Sequence, residues 1–182
     1  GKAVLCEKPF TINALEAELV INLARKKELF LMEAMWTRFI PLVAEVRQML
    51  ADGVIGEIQM LAADLGFWAE FEPEQRLFNP QLGGGSLLDV GVYPVSMASM
   101  IFGGSPATIT STARLGKTGV DENAAVIFGY EQGQIATLYS SVRTNSPSEA
   151  IIMGTKGRIK IHRLMFKPTK LTLSLNDQED ET

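Results

Sequence analysis

The chain carries the sequence GGGSLLDVGVYP at residues 83–94, and this stretch decides how the middle of the fold is built. Its three glycines give a permissive backbone, and Ser86 followed three residues later by Asp89 resembles a capping box at the start of a helix. An apolar run follows and ends at two further glycines, which predicts a helix over residues 86–102.

Asp89 and Tyr93 are four residues apart in this predicted helix. At that spacing the two side chains lie on one face, about 5–6 Å apart at Cβ. A carboxylate and a phenol presented together after a glycine-rich loop suit proton-transfer chemistry. A core helix in which Tyr93 only packs explains the same residues. Pro94 predicts a kink or a restart of the helix next to the tyrosine.

The first ten residues, GKAVLCEKPF, hold a second informative pattern. Residues 3–6 have strand character, and Glu7, Lys8 and Pro9 stand where that strand ends. Ligands of open α/β sheets bind beyond the carboxyl ends of strands, so a lysine held here could place a positive charge in a cleft. A solvated charge pair in a loop is the alternative explanation.

The rest of the chain changes from helical to β patterning. Residues 1–35 are predicted as strand–helix–strand, with the helix at 11–27 and the second strand at 29–35. A helix at 41–50, a strand at 56–68 and an irregular loop at 69–82 follow. After the helix at 86–102, strands are predicted at 107–115, 123–130, 134–142, 148–153, 157–162 and 170–175. Short connections between successive strands predict an α+β fold with a largely antiparallel open sheet packed on helices.

Composition narrows the function classes. The 182 residues are 46% hydrophobic and 21% charged with a net charge of −4, which is a globular balance with no electrostatic case for nucleic acid. No apolar run reaches the roughly 18 residues that a membrane span needs. The single cysteine, Cys6, lies in an apolar strand, which favours a buried thiol and a cytoplasmic location. With one histidine, His162, to which no catalytic role is assigned, no metal site is predicted.

Taken together, Glu7-Lys8-Pro9 and the glycine-rich stretch at 83–93 resemble the Gfo/Idh/MocA oxidoreductases. The sequence LMEAMWTRFIP at residues 31–41 resembles the branch that contains dimeric dihydrodiol dehydrogenase and NADP-dependent D-xylose dehydrogenase. The resemblance extends from residue 1 to about residue 160.

The resemblance implies a two-domain enzyme that transfers a hydride between NADP or NAD and a sugar, polyol or dihydrodiol alcohol. Residues 1–35 would be the tail of an NAD(P)-binding Rossmann domain, and residues 36–182 an α+β substrate-binding and dimerisation domain. The chain has no Gly-x-Gly-x-x-Gly fingerprint. We therefore expect that motif in an upstream segment, without which this chain alone would be inactive.

The resemblance also implies residue roles. Tyr93 would be the acid–base, Lys8 would favour the ionised phenol and orient the substrate hydroxyl, and Asp89 would position them. The implied cofactor-binding residues are Glu7, Lys8, Pro9 and Arg76. The implied substrate-binding residues are Trp36, Arg38, Phe67 and Trp68.

The expected partners are a small sugar or alcohol substrate and a second copy of the chain, bound through the open sheet face. No nucleic acid or membrane partner is expected. A non-catalytic sugar-binding or dimerisation module derived from the same fold is the alternative function. The set Lys8, Asp89 and Tyr93 favours the enzyme, because a scaffold needs none of the three.

Overall fold

The polypeptide forms one small parallel sheet and one large mixed sheet in a computed structural model that describes residues 1–176 and 178. The strands and α-helices, in chain order, are β1 (Val4–Cys6), α1 (Ala14–Lys26), β2 (Leu31–Glu33), α2 (Pro41–Ala51), β3 (Ile58–Gly66), α3 (Val92–Phe102), β4 (Thr108–Leu115), β5 (Asp121–Gly129), β6 (Ile135–Ser141), β7 (Ala150–Gly154), β8 (Gly157–Ile161) and β9 (Leu171–Leu175). Short 3₁₀-helices cover Trp36–Phe39 and Pro80–Leu82, and a π-helix covers Leu87–Gly91.

The N-terminal segment is a parallel β1–α1–β2 unit. β1 pairs with β2 in parallel. The side chain of Asn13 accepts a hydrogen bond from the Glu16 amide at 3.0 Å and so begins α1. Glu7 directly follows β1, and the Lys8–Pro9 peptide bond is cis. The assignment of residues 1–35 to a Rossmann domain stays a prediction.

The large sheet has the strand order β4-β5-β6-β3-β7-β8-β9. Neighbouring strands are antiparallel except for β3 and β6, which run in parallel. The chain leaves β3 through the long loop and α3 before it builds the β4–β6 meander, so β6 returns beside β3 in the same direction. The predicted α+β fold with a largely antiparallel sheet is confirmed.

One face of the large sheet packs on helices and the other is open. Leu61 and Ala63 of β3 point to the helical side and join Met97 and Ala98 of α3 in the main core. This alternation is the two-residue period of a strand with one buried face. The opposite face is open, and large apolar side chains on it are exposed, namely Met60, Ile127, Ile135 and Tyr139.

The predicted capping box at Ser86 is wrong. The Ser86 side chain makes no helix-capping hydrogen bond. Its hydroxyl donates instead to Asp121 Oδ2 of β5 at 2.7 Å, and the Leu87 amide donates to the same oxygen at 2.7 Å. The carboxylate of Asp89 contacts Lys8 and Arg76. The N-terminus of this helix is therefore capped by a carboxylate from a distant part of the chain, Asp121 of β5.

The helical segment Pro80–Phe102 also corrects an expectation. By length and composition its 23 residues would suffice to cross a membrane, which the sequence reasoning did not recognise. Half of its apolar window is buried inside the fold, as in a core helix that packs on a sheet.

Candidate active site

A cavity of about 360 Å³ lies where the β1–α1–β2 unit meets the large sheet. Lys8 enters it from the end of β1, Phe67 from the end of β3, and Asp89 and Tyr93 from the π-helix and the first turn of α3. The structure therefore brings the three predicted catalytic residues to one cavity. The loops after β6 and β8 close the remaining sides.

Lys8 is held by the helix that carries Asp89. Its Nζ donates to the backbone carbonyl of Asp89 at 2.7 Å and lies 3.8 Å from Asp89 Oδ1. The same Nζ stands over the ring of Tyr93, 4.8 Å from the ring centroid. The side chain is only 16% exposed, so its charge acts in a partly desolvated site.

The Asp89 carbonyl, which accepts from Lys8, lies one helical turn before Pro94. Pro94 has no N–H to offer to the carbonyls four and five residues before it, those of Val90 and Asp89. The helix changes from π to α geometry at this place, between Gly91 and Val92. The break expected near Tyr93 thus precedes the proline, and the lysine ammonium bonds a carbonyl there.

Asp89 contacts two cations through one oxygen. Arg76 Nη2 donates to Asp89 Oδ1 at 2.5 Å, and Lys8 Nζ lies 3.8 Å from the same oxygen. Asp89 is buried while the Arg76 side chain is 54% exposed. Arg76, in the irregular stretch before the glycines, thus reaches the site through Asp89.

Tyr93 is buried and its hydroxyl has a defined donor. Trp36 Nε1 donates to Tyr93 Oη at 3.2 Å. The Tyr93 ring also packs against Phe166, with ring centroids 5.3 Å apart. The phenol is therefore fixed at both its ring and its oxygen.

The other sequence-predicted residues lie around this centre. Phe67 lines the cavity. Trp68 and Arg38 are not among the described residues that line it. Arg38 donates to the Ser96 side chain and carbonyl, each at 3.2 Å. Glu7 is exposed and Pro9 is half-buried. The binding roles given to these residues stay predictions.

Sequence reasoning missed the far wall of the cavity. Asn145, Ser146, Ser148, Arg163 and Phe166 line it from the loops after β6 and β8. Their sequences show only turn chemistry, and nothing in their spacing points to β3 or α3. Pairing of β3 with β6 and β7, and of β7 with β8, brings them there.

A buried carboxylate fixes one of these loops. Asp64 of β3 accepts from the Ser148 amide at 2.8 Å, and Ser148 has a left-handed backbone with φ 56°. On the open face, burial and then the neighbouring Asp64 carboxylate raise the pKa of Tyr139. Asp64 thus joins the cavity wall to the sheet.

Fold and cavity together define a class: an α+β domain with an open sheet, joined to a parallel βαβ unit, with a Lys–Asp–Tyr cluster where the two meet. The chain belongs to the Gfo/Idh/MocA family, because residues 43–160 match the model of the GFO/IDH/MocA C-terminal domain.

Relatives with known names agree with this family. The chain is 39% identical to a trans-1,2-dihydrobenzene-1,2-diol dehydrogenase of Xenopus tropicalis and 41% identical to that of Mus musculus, in each case over 96% of the chain and 52% of the relative. It spans about half the length of these curated relatives. A 3-ketoreductase from Actinomadura kijaniata, solved with NADP and TDP-benzene, is 28% identical with a TM-score of 0.87, over 100% of this chain and 57% of that one.

Proposed function

We propose that the protein containing this chain is an NAD(P)-dependent oxidoreductase that transfers a hydride between a nicotinamide cofactor and a sugar, polyol or dihydrodiol alcohol. The observation that carries the proposal is the meeting of Lys8, Asp89 and Tyr93 in one cavity. Membership of the family and the dehydrogenase names of its relatives support the same reaction class.

The residues at the end of β1 fit such a cofactor. Lys8, beyond the carboxyl end of β1, offers an ammonium to ribose hydroxyls and anionic groups. Arg76, in the loop before the glycines and paired with Asp89, is half-exposed and would add a guanidinium. Glu7 and Pro9 complete the set that would hold it. When bound, the nicotinamide supplies the hydride acceptor or donor, which the protein itself lacks.

The chain's own residues handle the proton and the orientation of substrate. Tyr93 Oη would take the proton of the substrate hydroxyl during oxidation and return it during reduction. The charge of Lys8, 4.8 Å from the Tyr93 ring centroid, stabilises negative charge on the phenol or on the substrate oxygen. Asp89 fixes Lys8 through its carbonyl and its carboxylate. Asn145 and Ser146 offer donors and acceptors to further hydroxyls.

The open sheet face supports a homodimer within this proposal. Exposed Met60, Ile127, Ile135 and Tyr139 form an apolar surface opposite the helices. Burial of such a patch against a second copy would remove it from water. The same patch favours the second candidate function, a non-catalytic dimerisation or sugar-binding module.

The test is hydride transfer by the protein expressed from its full open reading frame. Reduced nicotinamide is followed by absorbance with NAD⁺ and NADP⁺ against D-xylose, D-glucose, myo-inositol and a dihydrodiol. Replacement of Tyr93 by phenylalanine should lower kcat by about 10²–10⁴-fold, because it removes the acid–base group. Tyr130→Phe is the matched control, since Tyr130 packs on Phe102 away from the cavity.

Near-normal turnover in Tyr93→Phe would remove Tyr93 from the acid–base role. Cofactor binding without turnover of any alcohol would favour the sugar-binding module. No cofactor binding at all would overturn the oxidoreductase and leave the dimerisation module.

A further inference from the structure

We propose that Trp36 is a positioning residue that directs the hydroxyl proton of Tyr93 into the cavity. The inference rests on the proposed function, because it assigns the orientation of the acid–base in that reaction. Its starting observation is the hydrogen bond of 3.2 Å from Trp36 Nε1 to Tyr93 Oη.

The direction of this hydrogen bond follows from chemistry. An indole nitrogen can only donate, so the Tyr93 oxygen must be the acceptor. The phenol's own O–H then has to point away from the incoming indole hydrogen. Among the described residues, no second hydrogen-bond partner of the Tyr93 oxygen is present, so its proton is left for a ligand in the cavity that Tyr93 lines.

Trp36 is 39% exposed, but two aromatic rings and its buried neighbour Thr37 hold it in place. Its ring meets Tyr93 edge-on at 6.2 Å and 83°, and Phe166 edge-on at 5.9 Å and 89°. The next residue, Thr37, is buried and donates to the Phe166 carbonyl at 2.9 Å. The indole is therefore fixed to the same loop that packs on the Tyr93 ring.

Lys8 does not compete for this function. Its Nζ stands over the face of the Tyr93 ring, 4.8 Å from the centroid, and donates to the Asp89 carbonyl. Lys8 thus supplies charge while Trp36 sets direction. During reduction the aimed O–H donates its proton to the substrate carbonyl oxygen as the hydride adds to carbon. During oxidation the phenolate oxygen, still bonded by the indole, takes the hydroxyl proton back.

Trp36 reaches the site through its contact with Tyr93, and its predicted contact with substrate stays a prediction. Trp36 is not in the lining of the cavity, whereas Phe67 and Phe166 are. Its contact with the site is made through the Tyr93 oxygen and the two rings.

The first arm of the test replaces Trp36 by β-(3-benzothienyl)alanine, in which sulfur takes the place of the indole N–H while the ring shape is kept. We expect kcat to fall about five- to tenfold, the size of one hydrogen bond, with KM within about twofold and a displaced limb of the pH–rate profile. The same replacement at Phe39, exposed on the same 3₁₀-helix, is the control. An unchanged kcat, or a rise in KM alone, would overturn the positioning role.

The second arm does not depend on turnover. Trp36 and Trp68 each contribute one indole ¹⁵N signal, and each signal is assigned by replacing that tryptophan with phenylalanine. Tyr93→Phe should shift the Trp36 indole signal and speed its exchange with D₂O, while the signal of Trp68 stays in place. Unchanged shift and exchange would show that the hydrogen bond is absent and contradict the inference. A parent protein that oxidises no alcohol overturns the proposed function and this catalytic role together, whereas an active parent with an unaffected isostere overturns only the role of Trp36.

Discussion

Replacement of Asp121 by alanine should destabilise the helix that carries Asp89 and Tyr93. Asp121 Oδ2 accepts from the Leu87 amide and from the Ser86 hydroxyl, each at 2.7 Å. This carboxylate does the work that a capping residue does in other helices, but it comes from β5.

The magnitude follows from the fate of the two donors. A hydrogen bond to a charged group contributes about 1.5–3 kcal/mol. Ser86 keeps a second contact, to Ser140 Oγ at 3.0 Å, and Leu87 is exposed enough for water to reach its amide. We therefore expect a loss of about 2–3 kcal/mol rather than the full sum of two such bonds. For a chain of this size that loss lowers Tm by about 5–10 °C.

The assay is urea unfolding of the parent and variant proteins with thermal unfolding beside it. Asp52→Ala is the control, because its carboxylate accepts from Gln48 at 2.9 Å on the exposed surface and should cost within about 0.5 kcal/mol. A Ser86→Ala, Asp121→Ala double-mutant cycle should give a coupling of about 1 kcal/mol. If Asp121→Ala costs no more than the control, Asp121 does not begin this helix.

Three further predictions concern the surroundings of the site. Gly84→Ala should lower the free energy of unfolding by about 1–3 kcal/mol, since its Cβ would lie 2.8 Å from three backbone carbonyl oxygens; urea unfolding within error of the parent would contradict this. Burial and then Asp64 raise the pKa of Tyr139. The phenol of the unfolded chain ionises at pH ~10, before that of the folded chain, so the contribution of Tyr139 to the free energy of unfolding should be constant below that pH and fall as pH rises above it. Tyr139→Phe should lessen that fall in urea unfolding at pH 9 and 11, and an equal fall would refute the cause. Arg38→Ala should lower the free energy of unfolding by about 1–3 kcal/mol, because it removes two hydrogen bonds to Ser96, and should leave KM unchanged. A raised KM in steady-state kinetics, at the stability of the parent, would support the substrate-binding prediction instead.

Local patterns predicted most elements of this fold, because helix and strand periods depend on nearby residues. The strand predicted at 123–130 occurs at Asp121–Gly129, and the helix predicted at 41–50 occurs at Pro41–Ala51. The order of strands was not predictable in this way. β3 lies between β6 and β7 through pairings with distant segments, and no local pattern encodes them.

The capping error has the same origin. Ser86-x-x-Asp89 satisfies the local rule for a helix start, but Asp121, 34 residues after Leu87, supplies the acceptor. Gly85 permits this approach, since a Cβ there would lie 2.2 Å from Asp121 Oδ1. A glycine that the sequence presents as loop flexibility thus makes room for a side chain from another strand.

The two sides of the cavity differ in how far sequence could predict them. Lys8, Asp89 and Tyr93 follow a strand end and a helix start, which fix where side chains point. Asn145 and Arg163 belong to loops whose polar residues resemble any surface turn, and the sheet alone brings them to the cavity. Asp89 and Tyr93 lie on helices and Lys8 directly follows a strand, whereas the facing wall lies on loops, so sequence predicts the proton-transfer groups better than the groups that would select a substrate. If the proposed function holds, substitutions in those loops should change the ratio of kcat/KM values between alcohols before they abolish hydride transfer, and steady-state kinetics on the alcohol panel checks this.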